Sequence, residues 1–267
     1  MAFPGAFDDL DDPHYTVVGA PLDVSTSFRP GARFGPERIR TFAEPFDDYD
    51  HRTDQHFTEL GVTDHGDVRA WDDAPDYLDY LEGVLTDVAD TGAIPLVLGG
   101  EHTVSVAGVT AVDPAVFVSI DAHLDLREEL DGNEWSHATV THRALDVADE
   151  AVIVGARTGS EAEWARADRD DVTVIPPAAV PDWTPTIDGP VYLSVDIDAA
   201  DPGVAPGTGT PEPFGLGSRA IRDVVRALAP VTTGFDVVEV NDRDDGQAAS
   251  LAAKLLREFV FAHSAGF

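Results

Sequence analysis

Asp121, His123 and Asp125 alternate in Asp121-Ala122-His123-Leu124-Asp125, and Asp196 and Asp198 repeat the spacing in Ser194-Val195-Asp196-Ile197-Asp198. In an extended backbone alternate side chains point to one side, so each cluster is expected to aim its ligand-type groups together. Apolar, β-branched runs precede both, at residues 116–120 and 191–193, and read as buried strands of a parallel sheet. Carboxylates and imidazole crowded at the end of a buried strand are costly unless something neutralises them. A third candidate, Gly99-Gly100-Glu101-His102, follows the run 94–98, its glycines expected to turn the chain sharply and present His102. The set is two imidazoles and four carboxylates (His102, His123, Asp121, Asp125, Asp196 and Asp198). That is more negative charge than one divalent ion satisfies, and it suits two ions sharing bridging carboxylates. Oxygen-rich ligation in a chain without cysteine favours Mn²⁺ over a structural zinc site.

Two other ligands fit poorly. Asp196, Asp198 and Asp201 lack the central glycine and terminal glutamate of an EF-hand loop. Gly99-Gly100 is not a G-x-G-x-x-G turn, and Gly207-Thr208-Gly209 leads into prolines rather than a helix, so neither is a dinucleotide fingerprint.

The 267 residues suffice for one large α/β domain with a substantial core, and 43% hydrophobic content agrees with a globular chain. Fifty acidic against 17 basic residues give a formal charge of −33, and Lys254 is the only lysine. Without a basic stripe to neutralise phosphates, nucleic-acid binding is disfavoured. Such acidity with arginine retained resembles the cytoplasmic proteins of salt-accumulating halophiles, where high ionic strength screens self-repulsion. Disulfides and thiolate chemistry are excluded by the absence of cysteine. There is no signal-peptide pattern and no run of 18 apolar residues, so the expectation is a soluble, cytoplasmic protein with no membrane partner.

Strand-like runs at 15–19, 94–98, 116–120, 151–154, 172–175, 191–195 and 234–240 are separated by helical patterns. These patterns begin at Pro36 and cover 77–89, 160–167, 218–228 and 247–261. Alternation of this kind predicts a three-layer α/β/α fold with a mainly parallel central sheet, as one unit over residues 1–267. The Gly- and Pro-rich stretch 201–213 starts three residues after Asp198 and is read as an active-site loop rather than a linker.

The segments Gly99-Gly100-Glu101-His102-Thr103, Ser119-Ile120-Asp121-Ala122-His123-Leu124-Asp125-Leu126 and Ser194-Val195-Asp196-Ile197-Asp198, with the tail Pro206-Gly207-Thr208-Gly209-Thr210-Pro211, closely resemble the ureohydrolase family of arginase, agmatinase and their guanidino-acid relatives. The resemblance runs from Pro21 to Glu239, and the segment 21–36 looks more like the agmatinase branch than arginase proper. It implies an arginase-like fold and two Mn²⁺ per subunit, one held by His102, Asp121, Asp125 and Asp196, the other by His123, Asp121, Asp196 and Asp198. Glu239, in Phe235-Asp236-Val237-Val238-Glu239, matches the family's guanidinium-binding glutamate, and His137, in Trp135-Ser136-His137-Ala138-Thr139, its proton-shuttle histidine. The family commonly carries glycine where this chain has Ala138, which affects the shape of that loop.

The implied activity is hydrolysis of a guanidino compound to urea and an amine, foremost agmatine to putrescine and urea, in a homo-oligomer (trimer or hexamer). Guanidinobutyrate, arginine and formimino acids are the alternative substrates, and a metal-retaining regulatory protein without turnover is the reading from another class. Between Arg127 and Trp135 the chain carries four acids where composition predicts about two. Near the cavity mouth these are expected to repel arginine's α-carboxylate.

Overall fold

The computed structural model describes residues 1–7 and 10–266. The main sheet has eight strands: β1 (Tyr15–Ala20), β4 (Val62–Asp67), β5 (Ile94–Gly99), β6 (Val116–Ile120), β7 (Glu150–Val154), β8 (Val172–Ile175), β9 (Val191–Asp196) and β10 (Thr232–Val238). They lie in the order β4-β1-β5-β10-β9-β6-β7-β8, every pairing parallel. A small antiparallel hairpin, β2 (Tyr49–Asp50) with β3 (Gln55–His56), stands apart.

Among the described residues seven α-helices cover the sheet: α1 (Gly35–Ala43), α2 (Ala74–Asp90), α3 (Val104–Val112), α4 (Val140–Ala144), α5 (Glu161–Ala167), α6 (Ser218–Leu228) and α7 (Gln247–Ala265). Alternate strand residues feed two cores, because side chains switch faces with a period of two. Val17, Leu96, Leu98, Val118 and Ile120 pack with Ile39 of α1, Ile221 and Val225 of α6 and Leu256 and Phe259 of α7. Val18 and Val97 face the other way, against Tyr77, Leu81 and Leu85 of α2, and Phe117 and Tyr192 against Val109 of α3 and Val140 of α4. The three-layer fold expected from the alternation is present. No helix among the described residues is long and apolar enough to cross a membrane.

Local signals account for several boundaries. Pro36 sits in the first turn of α1, and Asp73 caps α2 by accepting from the Asp76 N–H at 3.0 Å. Ser160 and Glu163 close a capping box at the start of α5. Helices α3 and α4, strand β4 and the short β2–β3 hairpin escape the sequence reading. Helix α3, Val-Ser-Val-Ala-Gly-Val-Thr-Ala-Val, is buried from Val104 through Val109 and so lacks the polar stripe that marks a surface helix. Strand β4 is an edge strand whose last residues are polar and partly exposed, which hides its apolar start.

Candidate metal centre and substrate cleft

Four adjacent strands bring the ligand-type residues to one edge of the sheet. His102 follows β5, Glu239 follows β10, Asp196 ends β9 with Asp198 just beyond, and Asp121, His123 and Asp125 follow β6. Register levels them: Ile120 pairs with Val195, and Asp196 with Val238. Nδ1 of His102 lies 3.2 Å from Asp121, 2.9 Å from Asp125 and 3.6 Å from Asp196. Nδ1 of His123 lies 3.6 Å from Asp121 and 3.0 Å from Asp198.

The backbone reaches this arrangement differently from the extended alternation expected. Strand β6 stops at Ile120, the chain bends through Ala122 and His123, and Asp125 adopts a left-handed φ of 51°. The bend is held by side-chain acceptors. The His123 N–H donates to Asp121 at 2.7 Å and the Ala122 N–H to Asp198 at 3.2 Å. Beyond β9 a 3₁₀ turn (Ile197–Ala199) begins with Asp196 as its cap, accepting from the Asp198 N–H at 2.8 Å. The two glycines are required for another reason than a sharp turn. Neither Gly99 nor Gly100 is left-handed, but a Cβ on Gly99 would strike Val238 and one on Gly100 the backbone of Leu22.

Two trios offer donor atoms within 4.8 Å of one another, His102 with Asp121 and Asp196, and Asp121 with His123 and Asp198. Asp121 belongs to both. Asp125 stands against His102 rather than inside either trio, and Asp196 joins only the first. Burial raises the Asp196 carboxyl well above the usual range, and the charges of Asp198, Asp121 and Glu239 push it further. Asp125 is pushed to about 6, by burial first and then by Asp121. Carboxylates that oppose one another's ionisation in a dry interior are what a divalent cation relieves, and a donor set of oxygen and imidazole nitrogen without sulfur suits one. The residues fit a metal.

Behind His102 stands a relay that sequence reading missed. Its Nε2 lies 3.1 Å from the Ser194 hydroxyl, which donates at 2.6 Å to Asp236, and the Tyr192 hydroxyl donates to the same carboxylate at 2.8 Å. The available signal was an aspartate inside the apolar run Phe235-Asp236-Val237, where β10 and β9 pair Asp236 with Ser194. Arg157 was missed too. It donates to the carbonyls of Asp198 at 2.9 Å and Glu212 at 2.7 Å, tying the 201–213 loop to the site. In that loop the Thr210 hydroxyl donates to Asp198 at 3.1 Å, so the segment does lie against the cluster.

Strand β10 starts and ends two residues earlier than expected, at Thr232 and Val238, and Glu239 takes a left-handed φ of 61°. Its N–H donates to the Gly100 carbonyl at 2.8 Å, and its carboxylate accepts from the His102 N–H at 2.9 Å. Non-glycine residues in this region are costly and cluster at functional sites. Burial, above all, pushes the Glu239 carboxyl up to about 8, so a cation beside it would favour its ionised form. His137 opens a short 3₁₀ turn, its Nε2 3.2 Å from the Ser27 hydroxyl, and burial lowers its imidazole below the ordinary histidine value.

A cleft of about 360 Å³ opens beside these groups, lined among others by His123, Asp125, His137, Thr210, Arg127 and Glu163. Of the acids in the 127–135 loop none lines it. Glu128 and Glu129 face a separate hollow, and besides Asp125 the wall carries the buried carboxylate of Glu163, 3.2 Å from Arg127. A larger cavity of about 740 Å³ lies at the opposite end of the strands, around Tyr15, Ile94 and Thr232, away from every ligand-type cluster described above.

The family model for the arginase family matches residues 13–262. An agmatinase of Pyrococcus horikoshii is 34% identical over 96% of this chain and 94% of its own length. An N(1)-aminopropylagmatine ureohydrolase of Thermococcus kodakarensis is 35% identical over 91% of this chain and 88% of its own. The crystal structure of agmatine ureohydrolase of Thermoplasma volcanium superposes with a TM-score of 0.94 at 33% identity, covering 99% of this chain and 94% of that one. With its fold, its acid-and-imidazole cluster and this degree of similarity, the chain belongs to the arginase family.

Proposed function

We propose that this protein hydrolyses a guanidino compound to urea and an amine, with agmatine as the preferred substrate. The observation that carries the chemistry is the pair of trios joined through Asp121, with the buried carboxyl of Glu239 bonded to the backbone of His102 beside them. The similarity to an agmatinase and an N(1)-aminopropylagmatine ureohydrolase supports the substrate class. His102, Asp121, Asp125, Asp196, His123 and Asp198 would hold two Mn²⁺. The ions would supply Lewis acidity and a water acidic enough to act as nucleophile near neutral pH.

The protein's own groups then do the following. Glu239 pairs with the planar guanidinium and orients its carbon, a resonance-stabilised and therefore poor electrophile. Water adds to that carbon, the C–N bond to the tail breaks, and His137 passes the proton that the departing amine needs. The wall of the cleft carries Glu163, which suits an amine-terminated tail, and Arg127, which suits a carboxylate. The acid-rich loop does not decide between them, since its acids lie outside the cleft.

The same proposal takes residues 1–267 as one catalytic unit, assembled as a trimer or hexamer in a salt-rich cytoplasm. The test is kcat/KM for agmatine, N(1)-aminopropylagmatine, guanidinobutyrate and arginine in one high-salt buffer with Mn²⁺, reading urea release. Agmatine is expected to lead. A higher value for either acid would end the substrate assignment and leave the chemistry standing, whereas no urea from any member would end both.

A further inference from the structure

We propose that Glu101 and Ser25 are positioning residues that fix the orientation and tautomer of His137; this rests on the shuttle role assigned to His137 above. Glu101 adjoins His102 in sequence, yet its hydrogen bonds come from elsewhere. Its carboxylate accepts from the Ser25 N–H at 2.7 Å, the Ser25 hydroxyl at 2.9 Å and the Thr103 hydroxyl at 3.0 Å. The side chain is fully buried, so these bonds compensate its loss of water. Ser25 in turn holds both the backbone and the imidazole of His137. The His137 N–H donates to the Ser25 hydroxyl at 2.9 Å, and Nδ1 of the imidazole lies 3.0 Å from the Ser25 carbonyl oxygen.

A carbonyl can only accept, so Nδ1 carries the proton and Nε2 is left with its lone pair. Nε2 is the nitrogen that faces the Ser27 hydroxyl, and both residues line the cleft. The segment bearing Ser25 is clamped to the turn after β5. The Gly100 N–H donates to the Ala20 carbonyl at 2.7 Å and the Glu101 N–H to the Leu22 carbonyl at 2.8 Å, an approach that only a residue without a Cβ at position 100 allows. One turn thus carries the ligand-type His102 on one side and, through Glu101 and Ser25, sets the shuttle imidazole on the other. Among the described residues, the Ser25 hydroxyl is the single atom bonded both to Glu101 and to the backbone of His137.

The experiment is a double-mutant cycle in the Mn²⁺-loaded protein, with kcat, KM and metal content measured for Ser25→Ala, Glu101→Gln, His137→Asn and each first variant combined with the last. Ser25→Ala and Glu101→Gln are expected to lower kcat by about tenfold to a hundredfold, as misplacement of a reacting group does. KM should stay within about twofold and metal content should stay complete, while in the His137→Asn background neither lowers kcat further. If His137→Asn keeps its kcat, the shuttle reading has failed and the positioning falls with it. If His137→Asn loses kcat but Ser25→Ala does not, or loses as much again in the double variant, only the positioning is overturned. Metal loss in Glu101→Gln would likewise overturn it, since Glu101 would then be supporting the ligands rather than His137.

Discussion

The hydroxyl of Ser194 donates to the buried carboxylate of Asp236 at 2.6 Å while standing 3.1 Å from Nε2 of His102. The other nitrogen of that ring is the one aimed at the carboxylate cluster. A partner on the outer nitrogen fixes which nitrogen is free to ligate and raises its basicity, and removing such a partner typically costs 10–100-fold in metal affinity. Ser194→Ala is therefore expected to weaken Mn²⁺ binding by about tenfold or more with little change in secondary structure, read by titrating metal against a competing chelator. Unchanged affinity would show that packing alone orients His102.

Asp196 and Asp198 give a sharper test of the metal assignment. Asp196→Asn keeps the shape and removes a charge from a site where several carboxylates face one another. The expected outcome is loss of bound metal and of turnover together, with activity of the unmodified protein returning on Mn²⁺ addition after chelation. Elemental analysis showing two ions per chain and normal turnover in Asp196→Asn would remove it from the ligand set.

His137 and Glu239 should separate from the ligands and from each other. His137→Asn is expected to retain metal and lose kcat by about 10²–10⁴-fold, the range for a general acid or base. Glu239→Gln removes the counter-charge for the guanidinium while preserving shape. Its kcat/KM for agmatine should fall, with thermal stability held or raised, because Glu239 is a buried carboxyl already pushed up to about 8. A stable Glu239→Gln protein with unaltered kcat/KM would rule out the guanidinium contact.

Net charge predicts behaviour that owes nothing to the site. At −33, like charges repel over a Debye length of about 30 Å at 0.01 M salt and about 3 Å at 1 M. Melting temperature and oligomer size should both rise with ionic strength. A melting temperature flat from low to molar salt would contradict the reading of this composition as salt-adapted.

His263 gives the pH dependence a definite window. Burial lowers its imidazole from 6.5 to about 4, with the Tyr15 hydroxyl 2.8 Å from Nδ1. Above pH 6.5 neither folded nor unfolded chain protonates it. Between 6.5 and about 4 only the unfolded chain does, so stability falls across that interval and levels below it. The melting-temperature gap between the wild-type protein and His263→Gln should therefore shrink as pH drops from 6.5 to 4. A gap independent of pH would mean that this imidazole does not govern acid stability.

Read along the chain, most strands and helices of the main sheet and its parallel character were legible, as was the presence of ligand-type residues at the strand ends, because residue type, apolar runs and short spacings are local properties. Helix α3 was not, since it is buried from Val104 through Val109 and so carries no amphipathic period there. Nor was the way the ligands are aimed. Alternation along an extended strand suggested one cluster after β6, whereas bends capped by Asp121, Asp196 and Asp198 do the aiming. The groups that orient the site were invisible for a different reason. Ser25 meets His137 across 112 positions, Ser194 meets His102 across 92 and Arg157 meets Asp198 across 41. Each is an ordinary polar residue by itself. The sequence alone determined what kinds of groups stand at the carboxyl ends of the strands. Which of them face one another was decided by strand order and register, since laying β10 and β9 between β5 and β6 is what brings His102, Glu239, Asp196 and Asp121 to one edge.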